Sequence, residues 1–142
     1  MYFCAPNLVE MLEHHDAALV IGDFALTAKK EGLFTYDLAA EWRSQTGTPF
    51  VFAFWALRRD AASCGSLPFR ESYEFGKNQL PSIAREQSRE LGLSEEEILN
   101  YLTRNIDYSL DEKNLEGVKL FYQLAHQYGF VEGLRPLEFL DH

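Results

Sequence analysis

Two short stretches of this sequence have residue types and spacing suited to chemistry, and in both the backbone rather than a reactive side chain would meet a ligand. Asp16 to Asp23 reads Asp-Ala-Ala-Leu-Val-Ile-Gly-Asp, an apolar run that ends in Gly22-Asp23 before a helix start at Phe24. A glycine at that junction lets a small anionic ligand approach the main chain, and the amides of the following helix attract a carboxylate. Asp23 has a plainer reading as a helix N-cap, a role worth about 1 kcal/mol of stability. The second stretch, Thr46-Gly47-Thr48-Pro49-Phe50, joins a helix end to an aromatic-rich run. It can line the same crevice from the other side, or serve only as a helix stop followed by a turn.

The remaining reactive side chains lack partners at useful spacing. His14-His15 sit together at a helix end with no third ligand beside them, which argues against a metal site. His126 falls on the last helix and His142 is the final residue. Glu95-Glu96-Glu97 form the first turn of a helix, where the macrodipole favours negative charge, and do not make a catalytic carboxylate pair. Ser63-Cys64-Gly65-Ser66 has no base to activate a nucleophile. Cys4 and Cys64, the two cysteines, read as reduced thiols. Arg43, Arg58 and Arg59 are the best cations for steering a carboxylate, and surface solvation is their plainer role. Neither a phosphate-binding glycine loop nor a dinucleotide fingerprint is present.

The elements that must position these residues follow from periodicity and punctuation. Asn7 with Glu10 suggests a capping box, and the helix behind it ends near His14-His15. Ala17 to Ile21 is continuously apolar, which predicts a strand buried on both faces. A short helix is expected from Phe24 to Lys30, and another from Asp37 through Thr46, with Leu38 and Trp42 facing inward and Gly47 as its stop. Phe50 to Leu57 predicts a second buried strand. Arg58 to Ser66 reads as a loop. Helices follow over Pro68 to Lys77 and Leu80 to Leu91, with Pro81 in a first turn. Ser94 with Glu97 makes a second capping box, and a last long helix carrying Leu115, Val118, Phe121, Tyr122 and Ala125 stops at Gly129. The expected class is therefore α/β, with few strands and a helix-rich C-terminal half. Two strands cannot build a self-sufficient parallel sheet. Either something absent from this chain completes the sheet, or the strands pair in an unusual way.

Composition narrows the function classes. A chain of 142 residues with 46% hydrophobic and 14% aromatic side chains is the size of one domain and rich enough to pack a core. Thirteen basic against twenty-two acidic residues give a net charge of −9, which repels nucleic acid phosphates. Screening over about 8 Å leaves local groups in control of a small anion. No apolar run approaches the roughly 20 residues that span a bilayer, and the N-terminus has no secretion-signal pattern. The expected compartment is the cytoplasm.

Taken together, Met11-Leu12, the Asp16–Asp23 run with Ala25-Leu26, Tyr36-Asp37-Leu38 with Trp42, and Thr46-Gly47-x-Pro49-Phe50-Val51-Phe52-Ala53-x-Trp55 resemble the chorismate dehydratase family. Tyr101-Leu102, Ile106-x-Tyr108-x-Leu110 and Gly117 with Phe121-Tyr122 extend the resemblance over nearly the whole chain. The related dihydroxynaphthoate synthases share the fold but differ at the Thr46–Ala53 segment. The resemblance implies a two-lobed fold like the type II periplasmic binding proteins, with ligand held between the lobes. It implies a lyase that removes water from chorismate to give enolpyruvyl benzoate on the futalosine route to menaquinone, with no metal or organic cofactor. By this likeness, 1–46 is a remnant of the second lobe, and 47–142 is the return strand and C-terminal helices of the first. Carried over, Gly22, Asp23 and Phe50 contact substrate. Family members are about twice as long, and the part without a counterpart here is N-terminal. The chain alone is accordingly expected to be inactive, with no matched acid and base of its own. The expected partners are chorismate and either an N-terminal half or a second copy of the chain. A non-catalytic binding or interaction module of the same fold is the alternative.

Overall fold

Side-chain caps set most of the helix starts in this computed structural model, which describes residues 7–58 and 68–139. The Asn7 side chain accepts the Glu10 amide at 3.4 Å and opens α1, Leu8–His14. Asp37 accepts the amides of Ala39 and Ala40 at 2.9 and 3.1 Å and opens α3, Leu38–Thr46. Between them lies the short α2, Gly22–Thr27. The long α4 runs over Phe69–Leu91. Ser94 and Glu97 exchange bonds in a full capping box at the start of α5, Glu95–Asn100. That helix continues into a π turn, Tyr101–Asn105, closed by the Ile106 amide on the Tyr101 carbonyl at 3.2 Å. Asp111 caps α6, Glu112–Gln127. Gly47 ends α3 in the left-handed region at φ 72°, a conformation that favours glycine.

The helix-rich C-terminal half is as expected, but the two predicted strands are corrected. Among the described residues no strand forms, and the architecture is helical throughout. Ala17 to Ile21 and Phe50 to Leu57 are non-helical, and no hydrogen bond ties the backbone of either run to a strand partner. A strand needs a neighbour to satisfy its N–H and C=O groups, and these two runs find none here. Ala17–Ile21 still keeps a period of two, with Ala18 and Val20 half-buried while Leu19 and Ile21 are exposed. It is covered on one face at most, not on both.

Three smaller expectations also change. α2 begins at Gly22 rather than Phe24 and ends at Thr27. The helices expected on either side of Leu80 are one continuous α4 with Pro81 inside it. Proline lacks the N–H for one helical bond, a local loss that 23 residues of helix tolerate. Leu38 is exposed rather than inward-facing, while Trp42 is half-buried as expected.

The chain divides into two compact units, each assembled from separated segments. The first contains 7–35 and 74–106, and its buried residues are Ala84 and Ser88 of α4 and Ile98 of α5. The second contains 36–58, 68–73 and 107–139, and its buried residues are Asn114, Gly117 and Val118 of α6. No large side chain is fully buried among the described residues, whereas Phe34, Trp55 and Phe130 are 96%, 83% and 82% exposed. Many large apolar side chains among the described residues are thus left exposed.

Candidate functional site

In the second unit, α6 presents Asn114, Gly117, Val118 and Phe121 along one stripe, the i, i+3, i+4, i+7 spacing of a single helical face. The Thr46–Phe50 corner is pressed onto that stripe. A Cβ added at Gly117 would overlap the Pro49 carbonyl oxygen, so only glycine permits this approach. The Trp42 indole N–H donates to both the Thr48 hydroxyl at 3.1 Å and the Pro49 carbonyl at 3.2 Å. The Thr46 hydroxyl donates to the Trp42 carbonyl at 2.8 Å and accepts the Thr48 amide at 3.2 Å. The corner's polar groups are therefore largely committed to one another, as a helix stop and turn would require.

What this corner positions is an aromatic cluster. Phe50 meets Trp42 edge-on at 5.6 Å, Phe52 at 4.9 Å and Phe121 at 5.7 Å. Such pairs contribute about 0.5–1.5 kcal/mol each beyond simple burial. Phe50, Phe52 and Phe54 together with Val118, Phe121 and Tyr122 wall an open groove of about 180 Å³. No charged side chain lines it. An anion placed there would lose hydration without gaining a counter-charge.

The α6 start is held by a polar network that sequence reading did not single out. Buried Asn114 donates from its amide to the Asp107 carboxylate at 2.9 Å, the Asp111 carboxylate at 3.2 Å and the Ser109 carbonyl at 3.3 Å. The Ser109 hydroxyl and amide donate to Asp107 as well. Hydrogen bonds from the Ser109 side chain, then Asn114, then the Ser109 backbone hold the Asp107 carboxyl below its ordinary range. The signal available in the sequence was the Asp107-x-Ser109-x-Asp111-x-x-Asn114 spacing before a helix. For Gly117, it was a glycine inside a strongly amphipathic helix.

In the first unit, Gly22 has φ 64° and opens α2, with extended Ile21 as an N-cap that supplies no side-chain bond. Asp23 is thus not the N-cap but part of the first turn, where the helix dipole favours its charge. It is exposed, and its backbone carbonyl accepts the Thr27 hydroxyl at 2.9 Å. A Cβ at Gly22 would meet open space, so the positive φ alone accounts for glycine there. Gly22 and Asp23 are neighbours in this unit, and Phe50 belongs to the other.

Of the cations expected to steer a carboxylate, Arg43 is an exposed residue in the last turn of α3. Arg59, Ser63 to Ser66, Cys4 and His142 lie outside the described residues. A second, shallower depression lies along α4, lined by Ser82, Arg85, Glu86, Arg89 and Glu90. Its residues come from one helix and carry both signs of charge, with Arg85 facing Glu95 at 3.6 Å. Among the described residues, no group of three His, Cys, Asp or Glu side chains is placed to hold a metal ion. No described helix is long and apolar enough to cross a membrane.

Comparison of the sequence with known proteins identifies a family. The profile of a family described as menaquinone biosynthesis matches residues 2–127. The chain is similar to the chorismate dehydratase of Thermus thermophilus, with 31% identity over 132 residues, covering 80% of this chain and 48% of that protein. The chain thus spans about half the length of this relative. No solved structure gives a significant match.

Proposed function

The chain belongs to the menaquinone biosynthesis family, and from that premise we propose that it forms part of a chorismate dehydratase, a hydro-lyase converting chorismate to enolpyruvyl benzoate, and acts only with a complementary half. The observation that carries this reading is the 31% identity to chorismate dehydratase across most of this chain but only half of the relative. The proposed fold of the complete assembly is the two-lobed, periplasmic-binding-protein-like one.

Dehydration removes a proton and a hydroxide from the substrate, so one group must accept the proton and another must assist the leaving oxygen. Asp23 is the exposed carboxylate at the proposed cleft, and its sign is wrong for attracting a dianionic substrate. The groove beside Phe50 is apolar and suits a ring rather than a carboxylate. In this proposal Gly22, Asp23 and Phe50 keep the substrate-contacting role that the family resemblance implies for them. The complementary half supplies the cations and the proton-handling groups.

Chorismate incubated with this chain alone, and with the chain co-expressed with the unmatched half of the Thermus thermophilus relative, tests the proposal by chromatography of the products. Enolpyruvyl benzoate is expected only in the second reaction. A folded, associated pair that leaves chorismate untouched would contradict it. A second reading, a non-catalytic interaction module, is favoured by the unpaired backbone of 17–21 and 51–57. It predicts stable association with no chorismate consumed.

A further inference from the structure

We propose that Trp42 is a positioning residue: its indole N–H fixes the peptide that carries Phe50, and so sets where the Phe50 ring stands to meet substrate. This rests on the substrate-contacting role just given to Phe50 and adds the device that places it.

The indole N–H is a donor without acceptor capacity, and it reaches two oxygens of the corner, the Thr48 hydroxyl at 3.1 Å and the Pro49 carbonyl at 3.2 Å. The second oxygen matters more. The Pro49 carbonyl and the Phe50 N–H belong to one planar peptide, so holding that oxygen fixes the plane and the Phe50 Cα at its far edge. Gly117 bounds the same oxygen from the α6 side, where a Cβ would overlap it. The carbonyl is thus held from two directions, and the chain leaves the corner on one course.

The donor is itself held. The Thr46 hydroxyl gives its single hydrogen to the Trp42 carbonyl at 2.8 Å. In the 3.0 Å pair between the two threonine hydroxyls, Thr48 is therefore the donor. The bonds close a circuit that leaves Trp42 by its indole, passes through Thr48 and Thr46, and returns to the Trp42 carbonyl. Hydrogen bonds linked in this way polarise and strengthen one another. The indole ring also meets Phe50 edge-on at 5.6 Å and lies 6.0 Å from Phe121, which meets Phe50 at 5.7 Å. Trp42 and Phe50 are half-buried, whereas Phe52, two positions on, is 77% exposed. Phe50, unlike Phe52, is placed from within the chain.

Trp42→Phe separates positioning from packing, because it keeps an aromatic ring and removes the donor. In the free chain, the residual dipolar coupling of the Phe50 amide, which reports the orientation of its peptide, should change while those of α6 hold. Replacing Trp42 by benzothienylalanine, the same bicyclic shape with sulfur in place of the N–H, should give the same change without altering volume. In the chain paired with the unmatched half of the Thermus thermophilus relative, Trp42→Phe should raise the KM for chorismate about tenfold and move kcat by less than about threefold. A ring contact made to substrate and transition state alike has that signature. Phe50→Ala should raise KM by a similar factor, and adding Trp42→Phe to it should change KM by no more than about twofold. An unmoved Phe50 amide in both Trp42 replacements would overturn the proposal. So would KM effects that multiply in the double variant, or an unaltered KM in a Trp42→Phe pair that consumes chorismate; the proposed reaction would stand in either case. A reoriented Phe50 in a chain whose pairs never consume chorismate would instead sink the reaction and leave Trp42 as the group that places Phe50.

Discussion

Gly117 shows how one residue can decide a local structure. Its missing side chain admits the Pro49 carbonyl to the face of α6, and the Trp42 indole holds that carbonyl in place. Gly117→Ala improves helix propensity by about 1 kcal/mol and forces the corner away from the helix. The steric cost should win, with a net loss of about 1–3 kcal/mol in chemical denaturation. Asp107 gives a pH signature. Its folded-state pKa is lowered, so its contribution is present above the unfolded carboxylate value and is lost as pH falls through the folded one. Asp107→Asn should therefore flatten the acid-side fall in stability, read as denaturation midpoints below about pH 5. Glu97, lowered by its bonds from Ser94, acts in the same direction and would leave part of that slope in the variant. The site candidates were legible unevenly at this scale. Sequence reading singles out Gly22 for ligand approach to the main chain, whereas the feature the structure shows there is a positive φ. The role of Gly117 depends on Pro49, far along the chain, which spacing alone does not reveal, whereas Asn114 bonds only to residues three to seven positions away and its spacing is there to be read.

At the scale of elements, whatever depended on near neighbours was readable. The caps at Asn7, Asp37 and Ser94 and the stops at Gly47 and Gly129 involve residues a few positions apart, and each is found. Pairing is different. The apolar runs 17–21 and 50–57 carry the composition of strands, but a ladder is completed only by another segment, and none of the described residues provides it. Pro81 misleads for the opposite reason: proline weakens a helix locally, and the rest of α4 outweighs it. The unpaired state of 51–57 has a direct consequence in the isolated chain. Its amides should exchange far faster than those of α6, and Phe52→Ala should cost about 0.5–1.5 kcal/mol in chemical denaturation, the worth of its edge-on contact with Phe50.

For the molecule as a whole, the proposed function treats the exposed aromatic rings and the half-length match as one condition. Phe34, Trp55 and Phe130 lie open, and the match spans about half of the relative's length. The free chain should bind a hydrophobic-surface dye such as ANS, and the signal should fall when the complementary half is added. The most direct measurement is a titration of that half into a fixed concentration of this chain with chorismate present, following enolpyruvyl benzoate. Our account predicts no product at the start and a rate that climbs to a plateau at one-to-one stoichiometry. Equal turnover by this chain alone, or a saturated complex that forms no product, would contradict it.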